Sequence, residues 1–114
     1  MPNKLIDLAT FEELKQVSGA DFIGELIDTF LEDAPKLIAE LKSSQKTGDA
    51  DTFRRAAHSL KSNGATFGAS QLTEQARSLE ALAKEGRLAE VGDGVRAVEA
   101  TFALVADELK GLRV

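Results

Sequence analysis

Apolar residues recur three and four positions apart along nearly the whole of this chain, and no segment alternates apolar with polar for long enough to make a half-buried strand. Such spacing puts apolar side chains on one face of a helix, so an all-α fold is expected. Thr10 and Glu13 have the spacing of a capping box, and Phe11, Leu14 and Val17 form a short stripe that ends near Gly19; a first helix is expected over about 10–18. Asp21 is placed to cap a second helix, about 21–43, with apolar positions Ile23, Ile27, Phe30, Ala34, Leu37 and Leu41, widened by Phe22, Leu26 and Ile38. Pro35 falls inside this stripe without disturbing its phase, which predicts a bend and not a stop.

Gly48-Asp49 reads as a stop followed by a start, and Phe53, Ala56, Leu60, Gly64 and Phe67 mark a third helix over about 49–67. Asn63-Gly64 would signal a hairpin between strands, but no strand flanks it. Gly68-Ala69-Ser70 breaks the pattern, after which Leu72, Ala76, Leu79 and Ala83 mark a fourth helix over about 70–85. The last stripe, Leu88, Val91, Val95, Val98, Phe102, Val105, Leu109 and Leu112, runs unbroken across Gly92 and Gly94, so a helix is expected over about 88–112.

Four long amphipathic helices with short connections can bury their stripes only against one another. That implies an antiparallel up-down-up-down four-helix bundle with a short extra N-terminal helix. A length of 114 residues suits one such domain over 1–114. The seam of the last helix would also suit a homodimeric coiled coil, but it is near the minimum length for one, and a monomer is expected.

Function classes fall away on composition. A net charge of -5 has the wrong sign for holding nucleic acid through phosphates, and a membrane-surface helix set would carry more Lys and Arg. With no Cys and one His, neither a disulfide framework nor a zinc site is expected. No apolar run approaches the roughly 20 residues that span a bilayer, and the opening Met-Pro-Asn-Lys does not lead into a signal peptide; a cytoplasmic location is expected.

The lone histidine carries what chemistry there is. At about 100° per residue, His58 points away from the stripe of Phe53, Ala56, Leu60 and Phe67, towards solvent. Arg54, Arg55, Lys61, Ser62 and Ala65 lie three, four or seven residues from it and surround it on that face, with Ser59 adjacent. Three cations around one imidazole reverse the sign of an acidic protein locally. An exposed His among Lys and Arg also reads as an ordinary solvated face; against that reading, Ser62, Asn63 and Gly64 are poor helix formers in the middle of a helix the fold requires, which suits close approach of a partner, with tight helix packing as the alternative for Gly64 and the small Ser62 and Ala65 facing outward. A neutral imidazole can attack phosphorus and carry a phosphoryl group, with Lys61 balancing its charge. There is no Gly-rich phosphate loop and no nucleotide-site signature, so the chain reads as a carrier and not a kinase.

The stretch Ala57-His58-Ser59-Leu60-Lys61-Ser62-Asn63-Gly64-Ala65-Thr66-Phe67-Gly68-Ala69, followed by Leu72 and Leu79-Glu80, resembles the signature of histidine-containing phosphotransfer (HPt) domains. Upstream, Phe30-Leu31-Glu32-Asp33-Ala34-Pro35 is similar to a further family segment. The resemblance implies a four-helix bundle in which His58 accepts a phosphoryl group from a receiver-domain aspartate and delivers it to another receiver. It implies Lys61 beside the phosphate, and Glu80 where members often carry a Glu or Gln that bonds the imidazole Nδ1. Read from spacing alone, Glu80 is instead a surface residue paired with Lys84. No cofactor of its own is implied, since the receiver supplies the acidic pocket and Mg²⁺. Many members have Gly directly after the Lys, where this chain has Ser62. The alternative function is a non-catalytic adaptor or inhibitor that binds a kinase or receiver domain without carrying phosphate, for which His58 would be dispensable.

Overall fold

The computed structural model describes residues 5–112, which form five α-helices and one 3₁₀ turn and contain no strand. Of the two prolines, Pro2 lies outside the described residues, as does the rest of the Met-Pro-Asn-Lys opening.

Helix α1, Leu8–Ser18, starts two residues before the expected position. Its cap is Asp7 and not Thr10: the Asp7 carboxylate accepts from the Ala9 N–H at 3.2 Å and from the Thr10 hydroxyl at 2.8 Å. A carboxylate placed there takes the free donors of the first turn and leaves the Thr10–Glu13 pair inside the helix. Helix α2, Ala20–Thr47, is longer than expected at both ends. Asp21 sits in its first turn, where its charge meets the free N–H groups, and the capping position falls to Gly19. The polar run beyond residue 43 stays helical because Ser44 is buried and returns its hydroxyl to the Glu40 carbonyl at 2.5 Å. Gly48, at φ 79, adopts the left-handed conformation that ends α2. The helix passes through Pro35 without interruption.

Helix α3, Ala50–Thr66, is capped by Asp49, whose carboxylate accepts the Thr52 N–H at 3.1 Å. Helix α4 covers Ser70–Lys84. The expected last helix is split: Leu88–Glu90 form a 3₁₀ turn and α5 covers Gly92–Leu112. The apolar spacing hid this break because a 3₁₀ turn brings positions three apart onto one side, so Leu88 and Val91 remain on the core side although the helix begins only after them.

Helix α3 packs on both α2 and α4, α5 closes against the same two helices, and α1 lies across α2 and α3. The interior holds Ile27, Leu41, Phe53, Leu60, Leu72, Val98, Val105 and Leu109, all fully buried. Phe30 joins three elements, with its ring 5.1 Å from Phe67 and 5.6 Å, edge-on, from Phe102. The chain ahead of α1 is strapped down. Leu5 and Ile6 donate their N–H groups to the two carboxylate oxygens of Glu108 in α5, at 3.0 and 2.9 Å, and Asp7 donates to the Gly68 carbonyl at 2.8 Å. Gly68, at φ 76, has no room for a side chain, since a Cβ would lie 3.0 Å from the Asp7 carbonyl.

Candidate functional site

Helix α3 buries Phe53, Ala56, Ala57 and Leu60, and that choice of inner face turns His58 outward, with 56% of its side chain exposed. Helix α4 runs close beside it. Gly64 lets the two approach: a Cβ there would sit 2.9 Å from the Thr73 hydroxyl oxygen of α4, so its smallness serves the interior.

The approach brings Glu80 of α4 beneath the imidazole. Glu80 is not a surface residue; it is only 5% exposed. One carboxylate oxygen, Oε2, lies 2.8 Å from His58 Nδ1 and the other, Oε1, accepts from Lys61 Nζ at 2.6 Å. The Lys61 hydrogen bond, helped by the one from His58, holds the Glu80 carboxyl below the usual carboxylate range, against the opposing effect of burial. An ionised carboxylate only accepts, so the proton of that contact belongs to Nδ1. In a neutral ring this leaves the Nε2 lone pair on the side away from Glu80. Lys84 Nζ stands 4.0 Å from Glu80 Oε2, a looser contact than either of these.

The three cations do not all turn to the imidazole, as spacing alone suggested. Lys61 reaches it through Glu80. Arg54 and Arg55 are both held by Asp51, one turn back: Arg54 Nη2 bonds Oδ1 at 3.0 Å and Arg55 Nη2 bonds Oδ2 at 2.5 Å. A carboxylate three and four residues away is the nearest partner a helical arginine can find. Asp51 thus anchors the two arginines of this face, and its signal in the sequence was its spacing from them. Ser59, Ser62 and Ala65 are exposed on α3, while Arg54 is half-buried. Shallow clefts flank this face. One, of about 290 Å³, is lined by Ala50, Asp51, Arg54, Ala83 and Lys84; the other, of about 310 Å³, is lined by Leu37, Glu40, Thr52, Arg55, Ala56 and Ser59.

Among the described residues no cluster of His, Asp or Glu is grouped to hold a metal ion, and no helix is long and apolar enough to cross a membrane. What the site offers chemically is one exposed nitrogen nucleophile, oriented from behind by a buried anion that also fixes a cation beside it.

Comparison with known proteins finds relatives both in sequence and in fold. The phosphorelay protein LuxU of Vibrio harveyi is 32% identical over 92 residues, which are 81% of this chain and 81% of that protein. The crystal structure of histidine-containing phosphotransfer protein B (HptB) of Pseudomonas aeruginosa superposes with a TM-score of 0.92 at 28% identity, covering 98% of this chain and 96% of the other. The family model described as the Hpt domain matches residues 25–113, and with a match over most of its length this chain belongs to the Hpt domain family.

Proposed function

We propose that this protein is a phosphorelay intermediate: His58 accepts a phosphoryl group from the aspartyl phosphate of one receiver domain and passes it to the aspartate of another. Membership of the Hpt family and the likeness to LuxU, itself a phosphorelay protein, support a phosphotransfer role. The observation that carries the residue assignment is the buried Glu80, which engages Nδ1 of His58 and Nζ of Lys61 at once.

In the forward step the Nε2 lone pair attacks phosphorus. The N–P bond forms as the P–O bond to the receiver's aspartate breaks, and the aspartate leaves as a carboxylate with the electron pair. The Nδ1 proton stays where it is, and the positive charge the ring acquires faces the Glu80 carboxylate. Lys61, three residues from His58 along the same helix, would balance the charge of the phosphoryl oxygens. Glu80 is a positioning residue throughout. The receiver supplies the Mg²⁺ and the acidic pocket, and this chain supplies the nucleophile, so it acts as a carrier without kinase activity of its own. Arg54, Arg55, Ser59, Ser62 and Ala65 form the docking face around it.

The same reading takes the helices as an up-down-up-down antiparallel bundle in one domain. The closure of α5 onto both α2 and α4, and the short turns at residues 48–49, 67–69 and 85–91, support it. The bundle acts as a monomer in the cytoplasm, where an absence of Cys is no handicap to stability.

The test is incubation with phosphoramidate, or with a receiver domain phosphorylated by acetyl phosphate, followed by intact-mass measurement at neutral pH. Wild-type protein should gain one phosphoryl group, and a folded His58→Gln variant none. A folded wild-type protein that gains nothing from either donor would return the reading to the adaptor.

A further inference from the structure

Two arginines beside a phosphoryl acceptor would by themselves be flexible, solvated side chains. Here they share one anchor. Asp51 uses Oδ1 for Arg54 and Oδ2 for Arg55, so a single carboxylate at the start of α3 governs both guanidinium groups. The two diverge from it. Arg54, with 37% of its side chain exposed, lies along the cleft between α3 and α4 beside Lys84; Arg55, with 73% exposed, borders the cleft between α2 and α3 beside Ser59. His58 lies one turn further along α3. Only Nη2 of each guanidinium is engaged by Asp51, which leaves the Nε and Nη1 donors of both forks for a partner's carboxylates.

We propose that Asp51 is a positioning residue for docking, which orients Arg54 and Arg55 as a two-pronged cationic fork for carboxylates of the donor receiver domain, whose phosphorylated aspartate already sits in an acidic pocket. The proposal rests on the phosphotransfer reading. The carboxylate, held below its usual range first by the Arg54 hydrogen bond and then by the Arg55 charge, stays ionised wherever the protein works. Both ion pairs are open to solvent and screened by it, so Asp51 adds little to folding although it sets where the two side chains lie. Its effect is on docking, because side chains already pointed at their partner lose less freedom when it arrives.

This role has a sign opposite to that of plain electrostatics. If Asp51 were merely another surface charge, removing it would make the face more basic and speed capture of an acidic partner. As a positioning residue, its loss slows capture. The experiment compares wild-type, Asp51→Asn and Asp51→Glu proteins with two donors: phosphoramidate, too small to touch the fork, and a receiver domain phosphorylated by acetyl phosphate and then desalted. Asp51→Asn should take label from phosphoramidate at the wild-type rate. From the receiver it should show an unchanged maximal rate and a half-saturating concentration raised about threefold. Asp51→Glu, which keeps a carboxylate within reach of both arginines, should recover most of the loss. A half-saturating concentration that is equal or lower in Asp51→Asn overturns the proposal, as does an equal slowing with phosphoramidate, which would place Asp51 in the chemistry and not in docking. Wild-type protein that takes no label from either donor would overturn the phosphotransfer reading itself, and the fork with it.

Discussion

Glu80 engages both His58 and Lys61, and its environment makes a pH signature. Its carboxyl is held below the ordinary value of 4.5, foremost by the Lys61 hydrogen bond, so its contribution to stability is complete above the unfolded-state value and fades as pH falls through the lower folded-state value. Replacing it with Gln should therefore cost about 1–2 kcal/mol at pH 7 and progressively less below pH 4.5. Urea denaturation of both proteins, followed by circular dichroism across that range, measures the difference; a gap that does not close in acid would show that Glu80 acts through packing. The exposure of His58 could be read from helical geometry alone, since its own helix decides which side faces out. What Glu80 does could not, because its spacing from Lys84 within one helix is as good as its distance from His58 across two, and only the closeness of α3 to α4 separates those readings. Asp51 is legible only through its spacing from Arg54 and Arg55, since its bonds run to the two arginines and not to the histidine.

At the scale of elements, the α3–α4 pair is where sequence and site meet. Gly64 breaks the local preference for helix formers, yet it is buried and sits where a Cβ would press on Thr73, whose hydroxyl is already committed to the Ala69 carbonyl at 2.8 Å. Substituting Val for Gly64 should force the two helices apart and cost about 2 kcal/mol or more, while the same change at the exposed neighbour Ala65 should cost about 0.5 kcal/mol, the helix penalty of a β-branched residue alone. The separation should also lengthen the His58–Glu80 contact, so labelling by phosphoramidate should slow in Gly64→Val and stay normal in Ala65→Val; equal rates would show that the contact is not set by helix spacing. The helices themselves were legible because a packed stripe repeats at the helical period. Their ends were not. The α1 cap fell to Asp7 because a better acceptor stood before the expected one, and α2 ran on past residue 43 because a serine can satisfy its hydroxyl within its own helix once burial demands it.

For the whole molecule, the informative feature is the strap ahead of α1. No sequence pattern announces that Leu5 and Ile6 will bond a glutamate more than a hundred residues away, because backbone donors carry no side-chain signature. Glu108 pins Leu5 and Ile6 to the last helix, so the first and last described segments lie side by side. A polypeptide built this way can be opened elsewhere and closed here at little cost. A circular permutant that joins Leu112 to Leu5 through a short Gly-Ser linker and starts anew in the turn at Arg87 should fold to the same helical content by circular dichroism and take phosphoryl label at close to the parent rate. Failure to fold would mean that the α4–α5 turn is required for assembly. Success would make the module one that can be set into a surface loop of another protein, hung from a single point, with its histidine face turned freely to passing partners.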